Sequence, residues 1–171
     1  METWDAIRGR RNVRQFEDRP IPADHLDRIL EAARRTPSST NQQGWDFVVV
    51  TERERLRDLT RVWNWASHVG TSAATVALVM PTSDDAEARE TYQYDLGQAT
   101  MSIMLEAADL GIGSCHASVG DQTLARELLE LPGGRECPLL VSLGYPAEGP
   151  LAPIARPNRR PFDDVVHRER W

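Results

Sequence analysis

Thr36-Pro37-Ser38-Ser39-Thr40-Asn41-Gln42-Gln43-Gly44-Trp45-Asp46-Phe47-Val48-Val49-Val50 is a run of hydroxyls and carboxamides that passes directly into an apolar stretch. Pro37 cannot sit inside a helix, and Ser, Thr and Asn bond nearby backbone with their own side chains, so the first half is a polar loop. Trp45 to Val50, rich in aromatic and β-branched residues, reads as a buried strand. Upstream, Pro20-Ile21-Pro22 breaks the chain. Leu26, Ile29, Leu30 and Ala33 then follow at i, i+3, i+4 and i+7, the spacing of an amphipathic helix that stops before Pro37. Helix, polar loop and core strand in succession place hydrogen-bonding side chains at the mouth of a sheet.

Working outward, a short helix is expected after Thr3 as N-cap, ending near Arg8, Arg10, Arg11 and Arg14. Beyond the strand, a charged helix from about Glu52 to Trp63 carries Leu56, Leu59 and Val62 as its apolar stripe. Thr75 to Met80 is a second strand. A long helix follows, roughly Ala86 to Leu110, with Leu96, Ala99, Ile103, Ala107 and Leu110 on the helical period and Gly111 closing it. Its second half, which adds Met101, Met104 and Leu105, predicts burial on several sides. A strand from Gly113 to Ala117, a helix capped by Asp121 and ending near Leu131, and a strand from Leu139 to Leu143 complete the core. This alternation predicts an α/β or α+β domain with helices packed on a sheet. Residues 1–145 make the core in this reading. Residues 146 to 161 hold five prolines and must be extended, and the closing Asp163-to-Trp171 piece mixes apolar residues with charge. Such an arm suits clasping a neighbouring subunit, or else docking on its own domain.

Composition narrows the function classes. A chain of 171 residues with net charge −6 is sized for one domain and is not drawn to nucleic acid or anionic membrane. No apolar run approaches the roughly 18 residues that span a bilayer, and the acidic start Met1-Glu2-Thr3-Trp4-Asp5 is unlike a signal peptide, so a cytoplasmic protein is expected. Cys115 and Cys137 lie too far apart for a CxxC motif and are expected as free thiols; His25, His68, His116 and His167 lack metal-ligand spacing, so no metal site is expected. Gly111-Ile112-Gly113 begins like a dinucleotide fingerprint, but His116 stands where the third glycine belongs and the order is helix then strand, the reverse of what the motif needs. Phosphate-loop and nucleophile-elbow motifs do not occur, and nothing local supports a Ser-His-Asp triad.

Lysine is absent, so all 20 basic side chains are arginines, the residue that grips phosphate and carboxylate with a planar fork. Arg10-Arg11-Asn12-Val13-Arg14 offers three such forks and an amide within one short segment, enough for a phosphate dianion or, read plainly, a solvated basic helix end. The Pro37-to-Gln43 loop offers uncharged donors and acceptors suited to a heteroaromatic edge or a polyol, or a capped surface turn. Together they suit a ligand with a phosphate at one end and a polar ring at the other.

Arg10-Arg11-Asn12-Val13-Arg14-Gln15-Phe16, Pro20-Ile21-Pro22 and Leu30 through Trp45 resemble the N-terminal signature of the FMN-dependent nitroreductase family. Leu105-Glu106-Ala107-Ala108-Asp109-Leu110-Gly111-Ile112-Gly113-Ser114 resembles its central helix and following turn; Ser142-Leu143-Gly144-Tyr145-Pro146 and Arg159 through His167 resemble its last core strand and C-terminal arm. The resemblance implies an α+β fold with a central mixed, largely antiparallel sheet flanked by helices. It also implies an intertwined homodimer that exchanges residues 146–171, with tightly but non-covalently bound FMN at the interface. It assigns Arg10, Arg11, Asn12 and Arg14 to the flavin phosphate, with Arg159 as a later contact. Pro37, Ser38, Ser39, Asn41 and Gln43 reach the flavin of the other subunit. Cys115, His116 and Ser118 map to the turn against the flavin ring, with His116 a candidate substrate contact and Cys115 a packing residue. Two departures stand out: Asn12 where serine is usual, and Gly44 where proline generally precedes the tryptophan. The pyrimidine edge, served by lysine elsewhere, falls here to Asn64, His68 or backbone.

The function so implied is ping-pong transfer of hydride from NADH or NADPH through FMN N5 to a small acceptor such as a nitroaromatic or quinone, with no catalytic side chain of the nucleophile type. These motifs mark a flavin site more than a reaction. A same-fold enzyme that uses oxygen or fragments flavin, and an FMN carrier or sensor without turnover, are the alternatives.

Overall fold

Two long strands, β2 (Ala74–Pro81) and β4 (Arg135–Gly144), form the centre of a four-stranded sheet in the computed structural model, which describes residues 1–171. β1 (Asp46–Val50) pairs with β2 and β3 (Gly113–Ser118) with β4, giving the order β1-β2-β4-β3 with every pairing antiparallel. The largely antiparallel sheet expected from the sequence is thus present; the parallel contact is a single bridge, Asn12 to Ser114.

Strand alternation explains why helices cover both faces. Val76, Leu78 and Met80 of β2 point into one core with Ile29 and Ala33 of α2 (Ala23–Arg34) and Leu96, Ile103 and Ala107 of α4 (Ala86–Asp109). Ala77 and Val79 point the other way, toward Leu56 and Leu59 of α3 (Arg53–Leu59) and Ala125 and Leu129 of α5 (Gln122–Leu129). The α1 helix (Thr3–Gly9) packs on α4. No helix is long and apolar enough to cross a membrane.

Several local expectations need correction. Thr3 is the first helical residue rather than the cap; Glu2 precedes the helix and makes no side-chain cap bond. Asp121 does cap α5, accepting the Leu124 N–H at 2.9 Å. The helix expected to Trp63 ends at Leu59 and tightens into a 3₁₀ turn over Thr60–Val62. The β1 strand is only partly buried: Phe47 packs on one core and Val48 and Val50 on the other, but the strand lies at the sheet edge, where its outer hydrogen-bonding edge has no neighbouring strand, and only Val50 is buried. Along α4, Met101 remains 39% exposed, so burial is incomplete in a single chain.

The C-terminal segment is extended as expected, with one 3₁₀ turn at Phe162–Asp164. Most of its apolar side chains find no cover on their own domain: Phe162 is 65% and Trp171 99% exposed.

Candidate functional site

The arginine-rich segment is strapped across the end of the sheet by its own backbone. Val13 N–H bonds the Ser114 carbonyl at 2.9 Å, Glu17 N–H the Tyr145 carbonyl at 2.8 Å, and Ala147 N–H the Gln15 carbonyl at 3.1 Å. The close approach depends on glycine: a Cβ on Gly113 would stand 2.8 Å from the Val13 side chain, and one on Gly144 2.8 Å from the Phe16 ring. Val13 and Phe16 face inward, so their neighbours point outward, and Arg11, Asn12, Arg14 and Gln15 line a cleft closed by Pro146 and Glu148. None of Arg10, Arg11 and Arg14 forms an ion pair, whereas Arg28, Arg34, Arg35 and Arg53 do. Arg11 reaches only the Ala152 carbonyl, at 3.3 Å, and Arg10 the Asn12 side chain, at 3.4 Å. Three guanidiniums on a rigid strap, none of them in an ion pair although Glu148 lines the same cleft, make an anion cradle.

The polar loop forms a second element, away from that cleft. Pro37, Ser38 and Ser39 line a concavity with Glu90, Thr91, Tyr94, Asp95 and Gln98 of α4, and Gln43 faces α2 and β1. Thr40, Asn41 and Gln43 all hold positive φ, at 48°, 57° and 53°. A non-glycine residue there costs on the order of 1 kcal/mol or more, so the loop shape is imposed by its surroundings. Two anchors impose it. Gln43 N–H donates to Ser38 Oγ at 2.9 Å, and Ser39 N–H donates to both oxygens of Asp95 at 3.1 and 3.2 Å. Asp95, only 3% exposed, is a residue that sequence reasoning missed. Its signal was a lone carboxylate beside the apolar stripe of α4. Gly44 is explained by contact as well: a Cβ there would lie 2.8 Å from the Tyr92 ring, so Tyr92 occupies the space a proline at position 44 needs.

Along β3 the side chains alternate. Cys115 is fully buried, its thiol pushed up in pKa by burial against the opposing pull of Arg14 and then Arg10. His116 and Ser118 face outward. Arg159 lies on the exposed arm, its side chain bonded only to the neighbouring Asn158 carbonyl. Of the two candidates for the ring edge, Asn64 is exposed and His68 is enclosed at 3% exposure. His68 Nδ1 lies 2.6 Å from Ser142 Oγ. Its pKa is driven down to about 4, first by burial and then by the charges of Arg14 and His116. Arg14 therefore bears electrostatically on both His68 and Cys115, linking the arginine strap to the β3 edge.

Comparison with known proteins agrees with this arrangement. The model of the Nitroreductase family matches residues 7–94 and 63–145. A putative NADH dehydrogenase/NAD(P)H nitroreductase of Archaeoglobus fulgidus is 31% identical over 174 residues, covering 99% of each chain. An FMN reductase [NAD(P)H] of Bacillus subtilis is 24% identical over 190 residues, covering 99% of this chain and 74% of that one. The crystal structure of nitroreductase A from Vibrio parahaemolyticus superposes with a TM-score of 0.87 at 25% identity, covering 99% of this chain and 75% of the other. With the match running from the arginine strap through the last core strand, the chain belongs to the nitroreductase family.

Proposed function

We propose that the protein is an FMN-dependent NAD(P)H oxidoreductase that works as a homodimer. The observation that carries this reading is the cluster of Arg10, Arg11 and Arg14, fixed on the sheet end with none of the three held in an ion pair. The buried Nε2 of His68, which has no hydrogen-bond partner in the chain, adds a polar atom for a polar ring, so the residues present fit a phosphorylated flavin.

When bound, FMN supplies two-electron redox chemistry, taking hydride from NADH or NADPH and passing it to a small acceptor such as a nitroaromatic or quinone in a ping-pong cycle. The protein binds and orients. Arg10, Arg11, Asn12 and Arg14, joined by Arg159 of the arm, would hold the phosphate end by charge-assisted hydrogen bonds. Cys115, His116 and Ser118 would serve the ring end, and the outward-facing side chain of His116 supports its touching an acceptor. Pro37, Ser38, Ser39 and Gln43 line other concavities of the same chain and Asn41 is exposed on the same loop, which supports all five serving the flavin of a second copy. The uncovered apolar arm, residues 146–171, supports exchange between copies, because burying Phe162, Val165 and Trp171 on a partner removes them from water.

Steady-state turnover with NADH or NADPH against menadione and a nitrobenzoate tests the reading. Parallel double-reciprocal lines are expected. Flavin reduction without acceptor turnover would leave a carrier or an oxygen-using enzyme in its place.

A further inference from the structure

One face of α4 backs the polar loop. Tyr92, Asp95, Gln98 and Ser102 follow one another at helical spacing along it. Thr36 Oγ1 stands 3.0 Å from Ser102 Oγ, Ser39 N–H donates to both oxygens of Asp95 at 3.1 and 3.2 Å, and the Tyr92 ring fills the space beside Gly44. Of these ties the one through Asp95 is the costliest to build. Asp95 is buried and enters no ion pair, and its remaining hydrogen-bond contact is Gln98 Nε2, 3.5 Å from Oδ1. A carboxylate taken out of water without a cation is expensive, and an apolar residue beside Leu96 would serve the core better. What the carboxylate gains is a two-oxygen grip on the backbone just ahead of Thr40 and Asn41, two of the residues held at positive φ.

That grip also decides what the loop can offer a ligand. Ser39 N–H is spent on Asp95 and Ser38 Oγ accepts from Gln43 N–H, so the Ser38 hydroxyl proton and the exposed Ser39 hydroxyl have no partner in the chain. Hydroxyls on a pinned backbone meet a ligand in one geometry. Without the pin, the residues at positive φ relax toward ordinary conformations and the hydroxyls move with them. We propose that Asp95 is a positioning residue: through Ser39 N–H it holds the Pro37-to-Gln43 loop in the shape with which that loop meets the flavin of a second copy. This rests on the FMN reading above and deepens it, because a core residue of one copy then governs the flavin site of the other.

The test compares wild type, Asp95→Asn and Asp95→Leu as full-length dimers titrated with FMN, following quenching of flavin fluorescence. Asp95→Leu, which fills the space but accepts nothing, should weaken FMN binding by about tenfold or more, since the Ser39 N–H loses its partner and the loop its pin. Asp95→Asn, whose Oδ1 still accepts from Ser39, should stay within about threefold of wild type. Co-expressed hybrid dimers pairing one Asp95→Leu chain with one Arg14→Ala chain combine an intact arginine cluster and an intact loop at one of their two sites. They should therefore hold about half the flavin of wild type at an FMN concentration that loads neither variant homodimer. In wild type alone, hydrogen exchange should find the Ser39 amide protected, so the proposal remains testable if Asp95→Leu does not fold. An Asp95→Leu dimer that binds FMN like wild type, an Asp95→Asn dimer as weak as Asp95→Leu, a hybrid without flavin, or a freely exchanging Ser39 amide overturns the proposal while leaving the flavin site standing. Absence of FMN binding to wild type instead removes the functional reading itself.

Discussion

Lowering the pH should destabilise this protein through His68 in a way that replacing His68 removes. The unfolded imidazole titrates near its ordinary 6.5, whereas in the folded chain the pKa falls to about 4 because the ring is buried and faces the charges of Arg14 and His116. The folded state thus prefers the neutral ring. Its contribution is fully present above pH 6.5 and is lost as pH falls through the interval down to about 4. Each pH unit across that interval is worth about 1.4 kcal/mol, so the full effect is about 3 kcal/mol, of which about 2.5 kcal/mol is developed by pH 4.5. Urea denaturation of flavin-free wild type and His68→Gln at pH 7 and pH 4.5, at one protomer concentration, isolates the term, since other titrating groups are shared. Wild type should lose about 2.5 kcal/mol more than the variant between the two pH values. Equal losses would refute both the burial of the neutral ring and the proximity of Arg14.

Three further outcomes are expected. Arg14→Ala and Arg159→Ala should each weaken FMN binding by about 1.5–3 kcal/mol, the worth of a hydrogen bond to a charged group, and titration of flavin-free protein measures it; unchanged affinity in both would place the phosphate elsewhere. Deleting residues 150–171 should give monomers that lose flavin, and a stable truncated dimer in sedimentation would contradict arm exchange. Gly44→Ala should cost about 1–3 kcal/mol by thermal or urea melting, because its Cβ meets Tyr92 at 2.8 Å, and the double variant with Tyr92→Ala should not show the extra cost.

Much of this architecture was legible in the chain because its signals are local. The i, i+3, i+4, i+7 spacing marked α2, short continuous apolar runs marked β2 and β4, and Asp121 marked the start of α5. Partial exposure of β1 was not legible, since Phe47-Val48-Val49-Val50 has the same composition whether or not a neighbouring strand covers its outer edge. The phosphate cradle was visible as an arginine cluster, yet its rigidity comes from Gly113 and Gly144 admitting Val13 and Phe16, contacts made across about a hundred residues of sequence. Asp95 and the His68–Ser142–Cys115 chain were hidden for the same reason: each residue type is ordinary, and only the fold makes them partners.

Anaerobic mixing of the purified protein with NADH, and separately NADPH, while recording the visible spectrum, tests the central claim most directly. Oxidised-flavin absorption bands that bleach with at least one nicotinamide and return when an acceptor is added are the result expected of a nicotinamide-dependent flavin oxidoreductase. A flavin spectrum that neither nicotinamide bleaches would contradict it.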